Sequence, residues 1–75
     1  MVEHDAIIGD HSHISTGAIV NGGVDVGKES FVGSHSTLNL GVTLSPRVVV
    51  ASHSLVSKSI FNPGIYKGVP VARGV

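Results

Sequence analysis

Val2, Ile8, Ile14, Val20, Val26, Val32, Leu38, Leu44, Val50 and Val56 recur at every sixth position of the chain without a gap. Ile, Leu and Val together make up 23 of the 75 residues. An unbroken run of this length therefore has a chance on the order of one in a hundred thousand in any one phase. Two residues before each of the last nine stands a small or β-branched residue: Ala6, Ser12, Ala18, Val24, Ser30, Ser36, Val42, Val48 and Ser54. A six-residue period is incompatible with an amphipathic α-helix, whose apolar stripe would recur with a 3.6-residue spacing.

Small-x-aliphatic reads as a three-residue strand with two side chains pointing in and one out, because side chains alternate along an extended backbone. The three residues between such strands must turn a corner. Gly9, Asn21, Gly27, Gly33 and Asn39 open five of the corners, and Gly and Asn are the residues expected to carry a positive φ there. Three strands and three corners close a coil of 18 residues, with successive coils stacked about 4.8 Å apart. Residues 2 to 61 supply a little over three such coils, so the expected fold is all-β: a parallel β-helix of hexapeptide repeats. Residues 1–61 form the repeat domain and residues 62–75 an extended C-terminal tail.

The 18-residue register assigns outward residues to faces. Face one shows Ile7, Asp25, Thr43 and Phe61; face two shows His13, Phe31 and Val49; face three shows Ile19, Thr37 and Leu55. Phe31, Val49, Ile19 and Leu55 are apolar and outward on two adjoining faces, a stacked set that suggests a contact surface. A chain this short buries little of its surface, and its first coil begins at Met1 with an edge open to other strands. Both features point to a homotrimer about an axis parallel to the prism, with clefts between neighbours.

Composition narrows the function. Lys plus Arg is 5 and Asp plus Glu is 5, which argues against a nucleic-acid partner needing clustered cations. Cysteine is absent, so thiolate zinc sites are excluded. No apolar run approaches membrane-spanning length. The expectation is a cytoplasmic protein without membrane or nucleic-acid partners.

Five histidines are the unusual feature. His35 and His53 are 18 apart and stack on one corner; His11 begins a corner column with Glu29 and Arg47, a charge ladder. Some trimeric β-helix enzymes, the γ-class carbonic anhydrases, hold zinc with interface histidines whose spacing includes a pair five residues apart. No such pair occurs here, so no metal site is assigned. His4 stands in the corner Glu3-His4-Asp5, and His13 is the central outward residue of the opposite face. Within one chain these imidazoles point apart; joint chemistry requires a neighbouring copy.

The stretch Val2-Glu3-His4-Asp5-Ala6-Ile7-Ile8-Gly9-Asp10-His11-Ser12-His13-Ile14, followed by Gly17-Ala18, resembles the sugar acetyltransferases of the left-handed β-helix superfamily. The resemblance is to the branch of sialic-acid O-acetyltransferases and UDP-amino-sugar (bacillosamine pathway) N-acetyltransferases. The nine-residue interval from a His-acidic pair to a second His carries it. The tail Ile65-Tyr66-Lys67-Gly68-Val69-Pro70 is similar to the family's closing segment, although Val71-Ala72-Arg73 departs from it. The resemblance spans nearly the whole chain and implies a left-handed coil and a trimer. Family members also carry an N-terminal nucleotide-sugar-binding domain and earlier coils, which this sequence lacks.

What the resemblance implies is an acetyl-CoA-dependent acyltransferase module, with acetyl-CoA as co-substrate and the active site between subunits. It would acetylate an amine or hydroxyl of a small-molecule acceptor, a sugar. His4 matches the catalytic base, and imidazole is suited to proton transfer near neutral pH. Asp5 matches the acidic neighbour that steadies the imidazolium. His13 matches a residue near the thioester, where a donor can steady the developing oxyanion. Ser34 and Ser52, 18 apart, match positions whose backbone meets the pantetheine arm. Lys58, Lys67 and Arg73 are candidates for the CoA phosphates. The alternative reading is a non-catalytic trimeric β-helix, a truncated acetyltransferase core acting as a scaffold or an inactive remnant.

Overall fold

The structure, a computed structural model, describes residues 1–73. Nine short strands follow one another along the repeat. They are β1 (Ile7–Ile8), β2 (His13–Ile14), β3 (Ile19–Val20), β4 (Asp25–Val26), β5 (Phe31–Val32), β6 (Thr37–Leu38), β7 (Thr43–Leu44), β8 (Val48–Val50) and β9 (Leu55–Val56). They wind into three parallel sheets, β1-β4-β7, β2-β5-β8 and β3-β6-β9, each forming one wall of a prism. The register is the one the period demands: His13 lies opposite Phe31, Ile19 opposite Thr37 and Asp25 opposite Thr43. Val2 bridges to Val20, so the chain starts beneath the third wall. The molecule measures 32 × 20 × 20 Å. Among the described residues no helix is long and apolar enough to cross a membrane.

The interior is a stack of aliphatics. Val20, Val26, Val32, Leu38, Leu44, Val50 and Val56 are buried, as are Ala18, Val24, Val42 and Val48 from the preceding inward position. Ile8, Ile14 and Ala6 are only half-buried, and Val2 is exposed, because none of the described residues packs beneath the first coil. Serine recurs at the inward corner position for a different reason. Ser36 Oγ donates to Ala51 O at 2.7 Å and accepts from Ser54 N at 3.2 Å, pegging one coil to the next. Ser12 and Ser30 repeat the device one corner earlier. A buried hydroxyl with both a donor and an acceptor partner fills the corner and satisfies backbone groups that burial would otherwise leave unpaired.

The corners correct one expectation. Gly9, Gly27, Gly33, Asn21 and Asn39 do not carry the positive φ. That conformation falls on the third corner residue of the first nine repeats: Asp5, His11, Gly17, Gly23, Glu29, His35, Gly41, Arg47 and His53, with φ between 57° and 74°. From there the amide reaches down to the coil below, as in Glu29 N to Asp10 O (2.9 Å) and His53 N to Ser34 O (2.9 Å). Glycine opens a corner for steric reasons instead. A Cβ on Gly27 would come within 2.5 Å of Pro46 N, and one on Gly33 within 2.6 Å of Ser52 N.

The repeat stops at Phe61. The chain then forms β10 (Gly64–Gly68), which pairs in parallel with β8, and β11 (Val71–Arg73), which pairs back on β10. Ile65 faces Val49, a step of 16 residues rather than 18, so the second wall grows by two strands beyond the coil.

Candidate functional site

Three of the five histidines are accounted for by the corners. His11, His35 and His53 occupy the left-handed position, where His, Asn and Asp are enriched because they tolerate that conformation better than other residues. The His35 and His53 rings stack with centroids 5.2 Å apart, and His35 lies over Gly17. In the neighbouring column Arg47 pairs with Glu29 at 3.5 Å. Among the described residues no group of three His, Asp or Glu side chains is placed to hold a metal ion. Geometry gives His4 and His13 no such duty.

His4 sits at the middle of the first corner with its side chain 98% exposed, and its Nε2 lies 3.7 Å from Asp5 Oδ1. Asp5 holds the left-handed position, which turns its carboxylate alongside the imidazole. In open water such a pair gains little from its Coulomb attraction; a covering surface that excluded water would strengthen it. His13 projects from β2 and stacks on Phe31, centroids 5.3 Å apart. Because β2 belongs to the second wall while the His4 corner joins the third wall to the first, the structure does not bring His4 and His13 together within one chain.

Ser34 and Ser52 stack with Thr16 at the middle of another corner. The carbonyls of Thr16 and Ser34 accept from His35 N and His53 N. Their amides, with that of Ser52, donate to no backbone carbonyl among the described residues. Pro46 occupies the equivalent place in a third column, and proline fits because the position needs no donor. The Thr16-Ser34-Ser52 column thus holds amides without a backbone acceptor, a property shared by the middle residues of the other corners, such as Gly22 and Leu40. Lys58 and Lys67 are exposed near the C-terminal end; the Arg73 side chain lies outside what is described.

Two features escape the sequence reading. One is the order of the charges. The first 25 residues hold Glu3, Asp5, Asp10 and Asp25 with no Lys or Arg, whereas all 5 cations stand from Lys28 onward beside Glu29 alone. The prism is therefore acidic at the His4 end and basic at the other, a separation visible in the sequence once charges are read by position. The second is a groove of about 470 Å³ at the basic end, framed by the last corner and the β10–β11 hairpin. It depends on where the tail folds, which the hexapeptide pattern does not encode.

The arrangement has a solved counterpart. The chain superposes on GDP-perosamine N-acetyltransferase from Caulobacter crescentus, crystallised as a histidine-to-alanine variant in complex with CoA and GDP-perosamine, with a TM-score of 0.80 and 26% sequence identity. The fold is that of the left-handed β-helix acetyltransferases. The match covers 99% of this chain and 44% of that protein, so the chain spans less than half the length of its structural relative. No protein-family model matches the sequence, and a search of curated proteins found no match. In this left-handed β-helix, then, an exposed His-carboxylate pair opens the first coil, and a column of free amides and a basic end lie further along the prism.

Proposed function

We propose that this chain is the acyl-transfer module of an acetyl-CoA-dependent acetyltransferase that works as a homotrimer on a small-molecule amine or hydroxyl, an amino sugar in the first instance. The observation that carries this reading is the likeness, over nearly the entire chain, to a protein that holds both CoA and an amino-sugar nucleotide. The placement of His4 beside Asp5 adds to it, since the exposed His4 side chain packs against nothing in the coil. The reading carries a cytoplasmic location with it and includes the branch to which the His4–Asp5…His13 signature points, that of amino-sugar N-acetyltransferases and sialic-acid O-acetyltransferases.

In this mechanism the acceptor nitrogen or oxygen attacks the thioester carbonyl while His4 removes its proton. Asp5 steadies the imidazolium that forms. The C–N or C–O bond forms as the C–S bond breaks, and the proton held by His4 passes to the departing thiolate to give CoA. His13 of a neighbouring chain stands at the thioester, where a donor lowers the energy of the oxyanion. Acetyl-CoA itself would lie along the prism, its amide-bearing arm against the Ser34 and Ser52 column and its phosphates toward Lys58 and Lys67. The free amides, the polar hydroxyls and the position-ordered cations suit that ligand chemically.

A second reading, a scaffold without activity, draws on one observation: nothing among the described residues shields His4 or Asp5, whose side chains are 98% and 81% exposed. Calorimetry and turnover separate the two. Trimeric protein that binds acetyl-CoA and releases CoA in the presence of an amino sugar, with release lost in His4→Ala while the trimer persists, is the expected result. Correctly assembled protein that binds no acetyl-CoA at millimolar concentration would overturn the enzyme reading.

A further inference from the structure

Each wall carries one column of outward side chains, and the register decides what stands over the first coil. Asp25 stands over Ile7, Phe31 over His13 and Thr37 over Ile19. Of these three, only the histidine has a ring above it. The two planes are 15° apart with centroids at 5.3 Å, an arrangement that aromatic pairs favour. His13 is exposed, and among the described residues its imidazole makes no hydrogen bond or ion pair. Phe31 is itself 43% exposed and is one of two phenylalanines in the chain, so the core does not account for it. Further up the same column the outward positions are Val49 and Ile65, which shows that the wall itself does not require a ring.

Resting on the transfer reading above, we propose that Phe31 is a positioning residue for His13: it fixes the plane of the imidazole, so that the N–H is aimed before the oxyanion forms. An imidazole N–H lies in the plane of its ring. The χ2 torsion of histidine is broad, so an exposed, unsupported ring swings its donor through a wide arc. A flat neighbour on one face confines the donor to the plane parallel to that neighbour. The confinement matters because a donor stabilises developing charge best when it need not reorganise as the charge appears. Phenylalanine suits the task, since it carries no polar atom to compete for the N–H. Phe31 acts through His13 and touches neither the acceptor nor the thioester. If the second wall were only a contact surface between subunits, an aliphatic of similar bulk would serve equally well, and this difference separates the two roles.

Phe31→Leu and Phe31→Tyr, each alone and combined with His13→Ala, test it in the full chain with the trimer checked by sedimentation. An interaction made only in the transition state shows in kcat, so Phe31→Leu should lower kcat about tenfold and leave KM for acetyl-CoA within about twofold, while Phe31→Tyr restores the rate. In the His13→Ala background, Phe31→Leu should cost nothing further. NMR of the imidazole gives a readout independent of turnover: the ring-current displacement of the His13 signals should vanish in Phe31→Leu and persist in Phe31→Tyr. An undiminished loss in the His13→Ala background, a rise in KM with kcat unchanged, or His13 signals indifferent to Phe31→Leu overturns the role and leaves the transfer reading standing. Wild-type trimer that releases no CoA overturns the transfer reading, and this role falls with it.

Discussion

His35 lies with its imidazole directly over Gly17, so that a Cβ on residue 17 would collide with His35 Nδ1. The same glycine has φ 74°, and His53 stacks on the far side of His35. Two independent penalties therefore meet in Gly17→Ala: the left-handed conformation, about 1–2 kcal/mol for a residue with a Cβ, and displacement of a stacked ring. Chemical denaturation should show a loss of about 2 kcal/mol. In the background of His35→Ala the loss should shrink to the conformational part, and an undiminished loss would show that the ring overlap contributes nothing.

Gly27 and Gly41 separate the two uses of glycine that share the corners. Gly41 has φ 72° and nothing within 4 Å of where a Cβ would stand; Gly27 is not left-handed but is hemmed in by backbone atoms at 2.5 to 2.8 Å. Gly41→Asn should be nearly neutral, since Asn tolerates the left-handed region. Gly27→Ala should cost about 1–3 kcal/mol, because the coils must move apart to admit it. Thermal melts of the pair check this directly; equal losses would contradict the division.

The period of six was legible because burial enforces it: Val26, Leu44 and Val56 cannot leave the interior without breaking a rung. Which corner residue turns left-handed was not legible from glycine alone, since Gly27 and Gly33 are there for close approach while Glu29 and Arg47 take the positive φ. The corner placement of His11, His35 and His53 was legible from the 18-residue register, but their left-handed backbone was not. The groove at the basic end arises from the 16-residue step that pairs Ile65 with Val49. Such a departure from the repeat leaves no trace in the pattern that precedes it.

Ser36 tests how much the corner pegs matter. Its side chain is fully buried, and removing the hydroxyl leaves Ser54 N and Ala51 O each short of a partner. A buried unsatisfied group costs about 1–3 kcal/mol, so Ser36→Ala should destabilise by that amount. Ser30→Ala should cost less, because the Ser30 hydroxyl reaches its acceptor Ser45 O at 3.3 Å rather than 2.7 Å. Urea denaturation of both variants ranks them, and a reversed order would mean that hydrogen-bond length does not govern the corner.

The separation of His4 from His13 within one chain yields the sharpest test of a shared site. If transfer needs His4 of one chain and His13 of the next, neither His4→Ala nor His13→Ala trimers should retain more than about one part in a hundred of the wild-type rate, the usual scale for losing a proton-transfer group or an oxyanion donor. Co-refolding the two variants in equal amounts, however, builds some interfaces that pair an intact His4 with an intact His13. Random pairing in a closed trimer makes roughly a quarter of the sites whole, so the mixture should recover about that share of CoA release, read with a thiol-reactive dye. A mixture no more active than its better parent would place both histidines' contributions within single chains. That outcome would require a rearrangement bringing the second wall round to the first corner, which the parallel register of Ile7 with Asp25 and His13 with Phe31 does not permit.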